Sequence, residues 1–212
     1  MKFRKLTSTI VALAIFVCMF TPIAAFATAD PVVGVLTIYA SAPTTTTSSI
    51  NTAGHAWISF KCTTWPSVEF GGLMVSVNNE VTVGTFGNHD EHIGIWYNLE
   101  SYCVNKLNSD PFRVSISMNV KRSEVYVLNA HIDSYDSWSF TNNCSSFAER
   151  MWNAVSEDKE VDAGVIDTPE NLMESIMEYD YEVACPIVYN STIGYVSGIT
   201  WYSSNPYYIA GL

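Results

Sequence analysis

Polar and apolar residues alternate with a period of two along residues 54–60. Ala56, Ile58 and Phe60 fall on one face of an extended segment, and His55, Trp57 and Ser59 on the other. The same alternation returns at residues 93–99, where Ile93, Ile95, Tyr97 and Leu99 oppose His92, Trp96 and Asn98. Runs rich in β-branched residues at 32–39 and 114–118 predict two further strands. Residues 73–77 and 80–86 flank Asn78 and Asn79, the chemistry of a tight hairpin turn. Residues 43–51, rich in Thr and Ser, and the polar stretch 87–91 predict loops. The period then lengthens. From Ser123 and Glu124, residues Val125, Leu128 and Ile132 recur at helical spacing. Asn143 or Thr141 caps a second helix whose apolar stripe is Phe147, Met151, Trp152 and Val155. Thr168, Pro169 and Glu170 open a third: a cap, a proline in the first turn and an acid matched to the helix dipole. A tail at 187–208, rich in Tyr and Trp, reads as short strands and turns. Strands dominate the first half and helices the second, so the fold class is α+β. Residues 28–212 show neither a repeat nor a linker and predict one domain.

Residues 1–27 stand outside that pattern. Lys2, Arg4 and Lys5 precede an uncharged apolar run at 10–20, then Pro22 and the small-residue site Ala25-Phe26-Ala27. These are the parts of a cleavable secretory signal peptide, which makes the protein secreted and starts the working chain near Thr28 or Asp30. The run is too short for a spanning helix, which needs about 20 apolar residues. No other stretch predicts stable membrane insertion. The chain has 10 Lys and Arg against 21 Asp and Glu, and three of the basic residues lie within the signal. So acidic a protein repels nucleic acid and anionic lipid, so neither is an expected partner. Its hydrophobic content of 48% supports a packed core rather than disorder. Cleavage removes Cys18 and leaves Cys62, Cys103, Cys144 and Cys185. In an oxidising compartment some of these should pair. With Cys144 kept free, Cys62 and Cys103 are the expected pair, since both end predicted sheet segments.

Cys144 carries the chemistry by its place at a predicted helix N-terminus. Unpaired amides and the dipole there favour a thiolate, and the same amides can hold an oxyanion. A thiolate nucleophile wants a general base, and His55, beside Gly54 on the polar strand face, is the best placed. His89-Asp90-Glu91-His92 has the look of a zinc loop. No further His or Cys follows nearby and no helical HExxH pattern is present, so neither metal nor cofactor is expected. His131, between Ala130 and Ile132 on a helix, reads as structural. Trp201, Tyr202, Tyr207 and Tyr208 read as packing, or as a surface for stacking on a sugar.

Gly54-His55-Ala56-Trp57-Ile58-Ser59-Phe60, followed by Asn143-Cys144-Ser145-Ser146-Phe147-Ala148, resembles the circularly permuted branch of the papain-like NlpC/P60 superfamily. In that branch a histidine on an early strand precedes a catalytic cysteine that opens a later helix. The resemblance spans roughly residues 50–180 and leaves the aromatic tail outside. It implies a small antiparallel sheet packed against helices, and a bacterial thiol hydrolase that cleaves amide bonds in peptides. Peptidoglycan stem peptides are its commonest substrates. Cys144 would attack the carbonyl and His55 would shuttle the proton. A third polar residue on the next strand would orient the imidazole. His92 is the first choice for it, with His89, Asn98 and Glu100 competing, because the 73–86 insertion intervenes. Acyl transfer through the same thiol, and a non-catalytic secreted binding module with Cys144 oxidised, are the alternatives.

Overall fold

A computed structural model describes residues 29–43 and 54–205. The signal segment, most of the Thr/Ser-rich loop and the last seven residues lie outside the described residues. The strands are β1 (Val32–Ser41), β2 (His55–Cys62), β3 (Val68–Phe70), β4 (Leu73–Val75), β5 (Glu80–Phe86), β6 (Gly94–Tyr97), β7 (Val114–Lys121), β8 (Glu182–Val183), β9 (Gly194–Ser197) and β10 (Thr200–Ser203). The helices are α1 (Leu99–Leu107), α2 (Arg122–Ser134), α3 (Cys144–Asn153) and α4 (Pro169–Ile176). Eight strands form one sheet in the order β10-β9-β6-β5-β2-β1-β7-β8, and β3 pairs with β4 apart from it. Every pairing is antiparallel. The class is α+β, an antiparallel sheet packed against four helices.

β1 and β2 hold the centre of the sheet and are buried on both faces, which explains their near-continuous apolar composition. On one face Leu36, Ile38, Ala56, Ile58 and Phe60 meet Phe147, Met151 and Trp152 of α3 and Leu172 and Ile176 of α4. Each such side chain taken from water contributes about 1.5–3 kcal/mol. On the other face Tyr39 stacks on Trp57, with ring centroids 5.1 Å apart, under Ile187. Beside them Phe86, Trp96, Leu99, Tyr102, Cys103 and Ile193 form a second cluster that seats α1. The alternation in β2 thus serves two cores rather than a core and a solvent face.

Three expectations need correcting. Asn78 and Asn79 do not join a hairpin. Residues 73–75 pair back onto β3, and the Asn pair instead caps the end of β2 through Asn78 N–H to the Cys62 carbonyl and Cys62 N–H to the Asn79 carbonyl. The strand expected over 93–99 stops at Tyr97, because Asn98 takes a left-handed conformation (φ 61°) and Leu99 begins α1. The expected Cys62–Cys103 bridge is absent. Cys62 lies in the main core and Cys103 in the cluster under α1, and all four described cysteines are free. The described part of the aromatic tail joins the sheet, since Gly194 of β9 pairs with Tyr97 of β6. Among the described residues no helix is long and apolar enough to cross a membrane.

Candidate active site

Cys144 is the first residue of α3, and Asn143 puts it there. With extended backbone (φ −101°, ψ −173°), Asn143 accepts the Ser145 and Ser146 amides on its Oδ1 at 2.8 and 3.2 Å. Ser146 Oγ returns the contact by accepting the Asn143 N–H at 2.8 Å, closing a capping box. The cap's Nδ2 donates to the Asp167 carbonyl at 2.8 Å, tying the helix start to the loop before α4. This corrects one expectation about the helix end. Two of its amides are already spent on Asn143, leaving the amide of Cys144 itself as the first-turn donor free of that cap.

His55 opens β2. Gly54 before it has φ +81°, and a Cβ there would stand 2.5 Å from the Ser41 carbonyl, so both conformation and space require glycine. The imidazole is 4% exposed and lies between Trp57 and Phe86, with ring centroids 5.4 and 4.6 Å away. Its Nε2 stands 3.2 Å from Glu100 Oε1. The other ring nitrogen, Nδ1, is the one left for Cys144, which lines the same cavity as the ring. The ladder between β2 and β5 stops at Ile58 and Val83, and beyond it His55 and Cys144 line one cavity.

Glu100, in the first turn of α1, is 2% exposed. Its Oε2 accepts the Thr82 hydroxyl at 2.9 Å. It rests over Gly84 of β5, where a Cβ would come within 1.9 Å of Oε1. Asn98 registers the helix on the strand, since its Oδ1 accepts the Thr82 N–H at 3.2 Å and its own N–H donates to the Thr82 carbonyl.

Burial alone would push the His55 pKa down. The hydrogen bonds and negative charges of Cys144 and Glu100 outweigh it and lift the pKa to about 10. Burial alone would raise the Cys144 thiol, but the bond and charge of His55 and the Ala56 amide bring it below its ordinary value. Both shifts favour a thiolate beside an imidazolium backed by a carboxylate, an arrangement that can deliver a nucleophile and then a proton.

The structure brings Cys144 and His55 together and leaves His92 elsewhere. His92 Nε2 pairs with Asp136 Oδ1 at 2.7 Å and its ring stacks on Tyr195, centroids 4.5 Å apart. His89 is buried between Phe86 and Trp96, where burial lowers its pKa. Of the four residues considered for the third position, Glu100 touches the imidazole. Leu99, Tyr102 and Cys103, spaced three and four apart and buried, carried the helical signal that places it. Among the described residues no group of three or more His, Cys, Asp or Glu could hold a metal ion.

A cavity of about 220 Å³ opens beside the thiol, lined by Gly54, His55, Thr85, Phe86, Gly87, Asn88, Trp138 and Cys144. No protein-family model, curated protein or solved structure significantly matches this chain.

Proposed function

We propose that the chain is an exported thiol hydrolase of papain-like, circularly permuted type that cleaves amide bonds in peptides. The observation that carries this reading is the imidazole of His55, buried, hydrogen-bonded to Glu100 and lining one cavity with Cys144. The thiolate attacks the carbonyl carbon, and the carbonyl's π electrons move to oxygen, beside the Cys144 amide. His55 gives the leaving amine its proton as the C–N bond breaks. It then takes a proton from the water that hydrolyses the thioester. Glu100 holds the ring in orientation and stabilises its charged form. Cell-wall stem peptides are the substrates the motif resemblance favours, and residues 1–27 support export. An intact mass that retains Met1 on secreted protein would count against export.

Cys144→Ala should abolish hydrolysis while leaving the fold intact, because a small residue replaces a small one at the helix start. In the wild-type protein Cys144 should be alkylated by iodoacetamide at about pH 6, where an ordinary thiol is almost wholly protonated. His55→Ala should slow that reaction. A Cys144 that labels no faster than free cysteine, with hydrolysis surviving Cys144→Ala, refutes the reading.

A further inference from the structure

The cavity beside Cys144 is walled by Phe86 and by the indole of Trp138, which lies against Gly87. A Cβ on Gly87 would come within 2.3 Å of that ring, so the glycine is what lets the indole approach the end of β5. Trp138 remains 41% exposed, too open for a core residue, and it presents an apolar face beside the thiol. Among the described residues no Lys, Arg, Asp or Glu lines the cavity, and His55 is the one titratable wall besides the thiol. Thr85, 2% exposed, lines the same space, and its hydroxyl has no hydrogen-bond partner among the described residues. An apolar hollow with one or two unpaired polar atoms is the usual form of a small-ligand site. Its volume suits a single aromatic or branched aliphatic side chain.

We propose that this cavity is a subsite for an uncharged, apolar side chain flanking the carbonyl that Cys144 attacks, with Trp138 as the residue that sets the preference. The inference rests on the thiol-hydrolase reading for its reaction, but the subsite can be tested without a substrate. An anionic group would lose its hydration there and, among the described residues, find no lining cation besides the His55 ring already bound to Glu100.

The full mature chain is treated with iodoacetamide, N-benzyl iodoacetamide and the para-carboxylated benzyl analogue, each rate divided by that of glutathione. In every case the thiolate forms the S–C bond as the C–I bond breaks and iodide leaves, so the reagents differ in the group offered to the cavity. The benzyl reagent should label Cys144 about ten-fold faster than iodoacetamide or more, the scale that burying an aromatic ring supports. The carboxylated analogue should lose the advantage. Trp138→Ala should bring the benzyl ratio near unity, and Trp138→Phe should keep most of it. Gly87→Ala, which drives a methyl into the indole, should lower it. No benzyl advantage in the wild type, or one that survives Trp138→Ala, overturns the proposal. A slow Cys144 with the ratios intact, and hydrolysis that survives Cys144→Ala, refutes the hydrolase reading and keeps the subsite. A fast Cys144 with ratios near unity does the reverse.

Discussion

Replacing Glu100 by Gln isolates the charge that holds His55 protonated. Gln has nearly the same shape, can still accept the Thr82 hydroxyl and keeps the same place in the first turn of α1, so the change removes a charge 3.2 Å from Nε2 and little else. A hydrogen bond to a charged group is worth about 1.5–3 kcal/mol. At about 1.4 kcal/mol per unit, that corresponds to a shift of about one to two pKa units. The His55 value, now about 10, should fall by that much, and the thiol should rise by a similar amount because the two groups share a proton. The sign follows from the depressed thiol. Its thiolate exists above the folded-state pKa and is lost as pH falls through it, so raising that pKa removes the reactive form earlier on acidification. The assay is the rate of Cys144 alkylation by iodoacetamide against pH. Glu100→Gln should move the acid inflection upward by about one to two units. His92→Ala should leave the inflection in place, because His92 is bound to Asp136. An unmoved inflection in Glu100→Gln, or an equal movement in His92→Ala, refutes the assignment of Glu100.

Gly84→Ala should reproduce the Glu100→Gln profile and add a stability loss of about 1–3 kcal/mol by denaturant titration. Its methyl would meet Glu100 Oε1 at 1.9 Å and Trp57 Cβ at 3.2 Å, and wild-type behaviour would mean that the carboxylate does not rest there. Thr85→Val removes a buried hydroxyl that has no partner among the described residues while keeping the side chain's shape. It should stabilise the apo protein by up to about 1 kcal/mol, a rise of roughly 2–4 °C in Tm, and a fall would show that the hydroxyl is hydrogen-bonded.

The sequence was most legible where one local signal decided the structure. The caps Asn143 and Thr168 start α3 and α4 where their side chains accept the first amides, and the alternation of β2 stands over its whole length. Competing signals hid the rest. The period-two run through residues 93–99 spans a strand end, a left-handed Asn98 and the first residue of a helix. The alternation therefore concealed α1 and placed Glu100 in doubt. The Asn78-Asn79 pair has turn chemistry and does turn the chain, but which strand it serves depends on long-range pairing that no local window contains. The capping that marked Cys144 in the sequence also consumes two of the amides expected to hold an oxyanion.

That last point bears on what would make Cys144 reactive. If α3's N-terminus alone activated the thiol, its free amides would face the sulfur, yet the Ser145 and Ser146 amides turn to the Asn143 side chain. The charge must come from another source, and Glu100 is positioned to supply it. The Glu100 carboxylate is 2% exposed, and its negative charge is one of the causes that raise the His55 pKa. Thr82 offers a hydroxyl and His55 offers a proton, and among the described residues no Lys or Arg forms an ion pair with Glu100. The ionised carboxylate therefore favours the imidazolium, and a buried imidazolium in turn favours the thiolate at its other nitrogen. By this reasoning the charge state of the nucleophile on α3 is governed from α1, across the sheet, through one histidine ring. It follows that a substitution in α1 or β5 that never touches Cys144 should change its reactivity more than one that weakens the α3 cap.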